Sequence, residues 1–158
     1  MKMIKVKKGQ ILQRKGDFNT KVYTVVSGLL RSYSIDEKGK EHIYLFAPEN
    51  WIIGDATPVN KPSELFIDVL EDATLLVRNK TIEINSEETN VQSVMNRMAV
   101  LQNRIIRLMS SSAIERYEHF TETYPDIVQR VPQKLIASYL GITPEALSKA
   151  KGDRLKKN

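Results

Sequence analysis

The chain of 158 residues carries 24 Lys and Arg against 19 Asp and Glu, a formal charge of +5, with 41% hydrophobic residues, which suits one generous globular domain or two small ones. It contains no cysteine, which excludes disulfides, thiolate metal sites and cysteine-ligated iron–sulfur clusters. No apolar run approaches membrane-spanning length and the start does not read as a signal peptide, so a cytoplasmic location with no membrane contact is expected.

Residues 1–16 hold Lys2, Lys5, Lys7, Lys8, Arg14 and Lys15 with no acid, and read as a solubilising terminus. From Gly9 to about Val77 short β-rich runs, KVYTVVSGLLRSYSI and EHIYLFA among them, alternate with turn signals. These fall at Lys15-Gly16-Asp17, Ser27-Gly28, Asp36-Glu37-Lys38-Gly39 and Pro48-Glu49-Asn50. That rhythm predicts an all-β unit closed as a sandwich or small barrel, the arrangement that leaves the fewest exposed strand edges.

A periodic segment follows, SEETNVQSVMNRMAVLQNRIIRLMSS, in which Val91, Val94, Met98, Leu101, Ile105 and Leu108 recur at spacings of 3, 4, 3, 4 and 3. This is the a/d pattern of a coiled-coil seam and predicts a long helix, with Glu87 and Glu88 near its positive end and Arg104 and Arg107 near its negative end. The stripe fits either a partner helix or the chain's own β unit, and Met95 and Met109 widen it. Ser112-Ala113-Ile114-Glu115 matches a capping box, so a new helix is expected there, ending at Tyr124-Pro125.

The stretch from Val131 to Lys151, VPQKLIASYLGITPEALSKAK, predicts two short helices. Pro132 opens the first, whose Leu135, Ile136, Tyr139 and Leu140 share a face. Gly141 supplies a left-handed residue, Ile142 an apolar contact across the bend, and Thr143-Pro144 the N-cap and first position of the second helix. Leu147 and Ala150 then face inward, with Pro144, Glu145, Ser148, Lys149 and Lys151 toward solvent. Such a pair is either a helical hairpin that closes a core or a helix-turn-helix. Beyond it Lys149, Lys151, Arg154, Lys156 and Lys157 stand against Asp153 alone, a surplus that suits a polyanion.

The order of these parts, with KKGQILQRKGD, VYTVVSGLLRSY, the DEKGKE hairpin, FAPENWIIGD and VPQKLIASYLGITPEALSK, resembles the Crp/Fnr family of bacterial transcription regulators over nearly the whole chain. The resemblance implies an α+β fold: an N-terminal antiparallel β-roll or jelly roll of the cyclic-nucleotide-binding type over 1–85, a dimerisation helix over 86–111 and a helix-turn-helix domain over 112–158. It implies a homodimer joined at Val91, Val94, Met98, Leu101, Ile105 and Leu108. Double-stranded DNA is the implied partner, with RNA polymerase as a further one and an unknown small-molecule effector. Gln133 matches a family position that touches backbone phosphate, and Lys134 and Lys151 are weaker candidates for that duty. Thr143, Pro144, Glu145, Ser148 and Lys149 complete the implied DNA interface, and Gly54, Asp55, Lys61 and Ser63 the effector pocket.

Departures from the family's pattern carry expectations of their own. Gly54-Asp55 stands where nucleotide-binding members have Gly-Glu, and no Arg lies between Arg31 and Arg78 to fork onto a cyclic phosphate, so cyclic AMP binding of the usual kind is not expected. The family's Arg-Glu-x-x-x-Arg contact pattern becomes Pro144-Glu145-x-x-x-Lys149. Glu145 can accept from a cytosine amino group and Lys149 donate to guanine, but Pro144 cannot replace an Arg. Gly152 is expected to interrupt the second helix. The chain enters the roll almost at once, and only seven residues follow Lys151, so neither a leading helical segment nor a β-wing is expected. A hinge is expected at Met109-Ser110-Ser111-Ser112, where an effector would shift the spacing of the two recognition helices. A cupin-type enzyme would need a His/Glu metal cluster, and His42 and His119 read as scattered surface residues, so no metal, cofactor or enzymatic activity is expected. A sensor of the same fold with degenerate DNA binding remains the alternative.

Overall fold

The computed structural model describes residues 2–80 and 91–157, and the chain divides into two compact units, Met1–Thr81 and Ile82–Asn158. The first is built from β1 (Lys2–Val6), β2 (Ile11–Gln13), β3 (Lys21–Ile35), β4 (Glu41–Ala47), β5 (Ile52–Ile53) and β6 (Phe66–Asn79). All pairings are antiparallel in the order β1-β6-β3-β4, with β2 added to β6 and β5 to β3.

The turns expected at residues 15–17, 36–39 and 48–50 are present, but Ser27-Gly28 is not a turn. It lies inside β3, where the register against β6 slips between Val25 and Ser27, and again between Ser27 and Leu29. Gly28 sits at φ +94, and a Cβ there would fall 2.5 Å from the Asp72 carbonyl oxygen and 2.7 Å from the Ala73 Cβ. Only glycine allows that combination of backbone angle and close approach. The bulge bends the β3/β6 ribbon, so one pair of long strands serves both ends of the roll. Val25, Leu30, Ile53, Ile67, Val69 and Leu75 are buried together inside it, each stabilising the unit by roughly 1.5–3 kcal/mol through loss of water contact.

Away from that apolar cluster, Arg31 is buried yet charged. Its Nε and Nη2 donate to the Asp68 carboxylate at 2.8 and 2.9 Å, its Nη1 to Glu41 at 2.6 Å, and its guanidinium lies 4.2 Å from the Tyr33 ring centroid. Burial opposes the charge, but the bonds to Asp68 and Glu41 outweigh it and hold the guanidinium well above its ordinary value. At the β3–β4 hairpin the Asp36 carboxylate meets His42 Nε2 at 2.8 Å and accepts from the backbone N–H groups of Lys38 and Lys40. His42 is thus an exposed residue tied to its own turn, and its contact, followed by the bond from Lys40, holds Asp36 below the ordinary carboxylate value.

The second unit contains α1 (Val91–Ser110), α2 (Ala113–Thr123), α3 (Pro125–Arg130), α4 (Gln133–Leu140) and α5 (Pro144–Lys157). Glu87, Glu88 and the start of the expected dimerisation helix lie outside the described residues. The capping box at Ser112 forms as its sequence demands: Ser112 Oγ accepts from Glu115 N while the Glu115 carboxylate accepts from Ser112 N at 2.7 Å. One short helix, α3, was not anticipated. Pro125 at its first turn stops α2 and starts α3 in the same step, because the proline lacks a donor for α2 yet carries a helical φ.

Candidate nucleic-acid interface and effector loop

Two helices and a three-residue bend form the C-terminal motif. Pro132 is the N-cap of α4 rather than its first residue, with an extended ψ of 144. Gly141 takes a left-handed backbone at φ +68; its N–H donates to Ser138 O at 3.2 Å and the Ile142 N–H to Ala137 O at 3.1 Å, closing the carbonyl end of α4. Thr143 Oγ1 accepts from Ala146 N at 3.2 Å and Pro144 begins α5. α5 then runs unbroken through Gly152 to Lys157, so the expected interruption does not occur. Gly152 is half-exposed with open space where a Cβ would sit, so it lowers helix propensity without breaking the hydrogen-bond ladder.

Packing decides which face of α5 is free. Leu147 and Ala150 are buried, as are Leu135, Ile136, Ala137 and Leu140 of α4, Tyr117 and Phe120 of α2, and Ile127 of α3. α5 packs chiefly on α2 and then on α4. Glu145, Ser148 and Lys149, spaced i, i+3, i+4 on the opposite face, are exposed, together with Thr143 and Pro144. Gln133 and Lys134 at the start of α4 are exposed as well, and Lys151 is half-buried. A hydrogen bond from its own backbone N–H at the helix start, then one from the Thr143 hydroxyl, hold the Glu145 carboxyl below its ordinary value. Glu145 is therefore an anionic acceptor near neutral pH.

In the β unit the segment after β5 is held by its own bonds. Asp55 is 5% exposed. Its Oδ1 accepts from Thr57 N at 2.6 Å and Thr57 Oγ1 at 2.5 Å, and its Oδ2 from Glu64 N at 2.9 Å and Leu65 N at 3.1 Å. Gln13 Nε2 approaches the same oxygen at 3.5 Å while bonding Leu65 O at 2.8 Å. Burial opposes ionisation of Asp55, but the bonds from Thr57, Glu64 and Leu65 outweigh it and lower its pKa. Lys80 Nζ donates to the Thr57 carbonyl. Ser63, also buried, donates to Arg14 O at 2.7 Å and fastens the far end of the loop to the turn after β2. A Cβ on Gly54 would meet the Val22 side chain at 3.3 Å, so the strand passes close to β3 here. Lys61 is exposed.

On α1, Met98 is 59% and Ile105 57% exposed; Leu108 is 37% exposed and Leu101 half-buried. Met95, Val100, Ile106 and Met109 are exposed too. The side chains of Val91 and Val94 lie outside the described residues.

Residues 3–81 match the family model described as a cyclic nucleotide-binding domain. The chain is 33% identical over 108 residues to the anaerobic regulatory protein of Haemophilus influenzae, an alignment that covers 67% of this chain and 38% of that protein. Its fold is similar to that of FixK2 from Bradyrhizobium japonicum, with a TM-score of 0.77 at 19% identity over 99% of this chain and 85% of the other. A transcriptional regulator of the CRP/FNR family from Thermus thermophilus aligns with a TM-score of 0.74 at 16% identity, over 99% of this chain and 87% of the other. The chain belongs to the Crp/Fnr family.

The alignments of this Crp/Fnr chain cover 36–41% of the length of the curated relatives it matches. Its two-helix motif and β-roll are the parts that sequence patterning exposed. Patterning places Arg104 only by the helix dipole and misses Arg116; both arginines reach into the motif. Arg116 Nε donates to Ser111 O at 3.0 Å, Nη1 to Leu140 O at 3.1 Å and Nη2 to Leu108 O at 2.9 Å. Arg104 Nη2 donates to Tyr139 O at 3.1 Å, with its guanidinium 4.0 Å from the Tyr139 ring centroid. A signal for Arg116 was present in the sequence: a cation in the first turn after a capping box opposes the helix dipole and implies an acceptor elsewhere.

Proposed function

We propose that this protein is a DNA-binding transcription regulator that works as a homodimer, each chain reading one half of a near-palindromic site. The observation that carries the reading is the α4–Gly141–α5 motif, whose Leu147 and Ala150 are buried while Glu145, Ser148 and Lys149 face outward. In this reading Glu145 accepts from a cytosine amino group and Lys149 donates to guanine; Gln133, Lys134, Thr143 and Lys151 hold backbone phosphates or their margins, and Pro144 sets the start of the helix. The exposed apolar residues of α1, Met98 and Ile105 foremost, together with Leu101 and Leu108, support pairing of two chains along the seam that begins at Val91 and Val94. Pairing there would set the two α5 helices about one turn of DNA apart.

The parts divide as effector roll over 1–85, dimerisation helix over 86–111 and DNA-binding domain over 112–158. In the roll, Asp55 is spent on the loop's own amides and Ser63 on Arg14, which supports a loop that does not take cyclic AMP in the usual manner. Any small-molecule effector would engage Asp55 and Ser63 only after those bonds open, whereas Lys61 is exposed and Gly54 half-buried. Among the described residues no helix is long and apolar enough to cross a membrane; a cytoplasmic regulator that meets RNA polymerase at promoters, with no catalytic chemistry of its own, completes the reading.

Selection of bound duplexes from a random pool tests it. The regulator enriches one near-palindromic motif. Glu145→Ala relaxes preference at one base pair of each half, and Lys134→Ala weakens binding to all sequences while reducing the salt slope by about 1. Binding without enrichment of any motif would instead identify a sensor that has lost useful DNA recognition.

A further inference from the structure

The serine-rich joint Met109–Ser112 reads in sequence as a hinge, but the structure fastens it. α1 ends at Ser110 and α2 starts at Ala113, so a two-residue link joins them. Ser111 N donates to Arg107 O at 3.0 Å and Ser110 Oγ to Ile106 O at 2.7 Å, which continues the helical ladder into the link. Across it lies the half-buried Arg116, whose three donating nitrogens reach three separate pieces of backbone: Leu108 in the last turn of α1, Ser111 in the link, and Leu140 at the last position of α4. Leu108 and Leu140 are both in final helical turns, where carbonyls lack intrahelical donors and the dipole is negative. A planar guanidinium matches this need, because its donors point in fixed, divergent directions.

Arg104 makes a second tie one turn earlier on α1, to the Tyr139 carbonyl and over the Tyr139 ring. Two arginines from different helices therefore grip adjacent carbonyls, 139 and 140, of the same helix end. That end leads through Gly141 directly into the recognition helix, and a Cβ on Gly141 would sit 3.5 Å from Leu108 Cδ2, so the bend itself rests against α1.

We infer that Arg116, backed by Arg104, is a positioning residue that fixes the angle between α1 and α5, so that the C-terminal half of α1 and the helix-turn-helix move as one piece. It touches no DNA. Its effect on recognition is indirect: with α1 paired in a dimer, the clamp sets how far apart and at what phase the two recognition helices stand. That consequence rests on the DNA-binding reading above; the clamp itself does not.

The test has one arm for each. Because the chain lacks cysteine, spin labels placed through Gln102→Cys and Asp153→Cys, both exposed positions on α1 and α5, report one distance within a chain when labelled protein is diluted into unlabelled. The unaltered clamp gives a single narrow distance distribution. Arg116→Ala and Arg116→Lys broaden it, lysine because one ammonium cannot reach three divergent carbonyls, and Arg104→Ala broadens it less. In the second arm, half-site spacing in the selected duplex is varied by single base pairs. Arg116→Lys loses about tenfold in affinity at the preferred spacing, the equivalent of one charge-assisted hydrogen bond, and tolerates neighbouring spacings that the parent rejects. Distributions of unchanged width in both Arg116 variants overturn the clamp, as does full rescue of spacing preference by lysine. A parent protein that selects no motif overturns the DNA reading, and the distance arm then decides the clamp alone.

Discussion

Removing the Asp55 carboxylate should expose how the loop after β5 is held. Asp55→Ala strips acceptors from the backbone N–H groups of Thr57, Glu64 and Leu65 and from the Thr57 hydroxyl. Glu64 is exposed and its N–H regains water, whereas Thr57 and Leu65 are half-buried and regain it only in part. With about 1 kcal/mol for each of the three amides, the loss is about 3 kcal/mol, which lowers the melting temperature of a unit this small by roughly 12–24 °C. Asp55→Asn keeps the shape and one accepting oxygen, and should fall between the two. The pH dependence gives a sharper signature. The pKa of Asp55 is lowered in the folded chain from its ordinary 3.8, so its contribution is complete above that value and disappears as pH falls through the lower, folded one. Thermal unfolding followed by circular dichroism from pH 7 downward should therefore show the gap between parent and Asp55→Asn beginning to narrow below about pH 4 and closing only as pH falls through the lowered, folded value. A gap that is as wide at pH 3 as at pH 7, or an Asp55→Ala variant that melts with the parent, would refute the account of Asp55 as the loop's internal anchor.

Gly28→Ala should abolish folding of the β unit or drop its stability by more than about 4 kcal/mol, since the new Cβ meets backbone 2.5 Å away at a positive φ; near-native amide spectra would contradict this. Asp68→Ala leaves the buried Arg31 with Glu41 as its remaining carboxylate partner, and a destabilisation of about 3 kcal/mol in urea titrations is expected. Ser112→Ala removes one side of the capping box and should cost about 1 kcal/mol in the helical unit, without the broadening of the α1–α5 distance expected for Arg116 variants. Ile105→Lys should shift sedimentation toward single chains while leaving the helical content of each chain intact, since Ile105 is 57% exposed within one chain.

Local order of this protein is written in its residue types. Gly141 and Thr143-Pro144 dictate the bend between α4 and α5 because a left-handed residue, a capping hydroxyl and a preset φ act over three positions, and Ser112-Ala113-Ile114-Glu115 starts α2 by bonds that close within one turn. The inward set Leu147 and Ala150 follows from helical period alone. Tertiary structure decided what depends on approach across long separations in the chain. Ser27-Gly28 has turn chemistry, yet pairing with β6 turned it into a bulge, because ladder bonds on both sides outweigh a local bend. Asp55 carries the sign of an effector ligand, but amides nine and ten residues away had claimed it. Arg116 serves carbonyls eight residues behind and 24 residues ahead, and no periodicity records such a reach, since a guanidinium finds its acceptors only after the helices that carry them have packed.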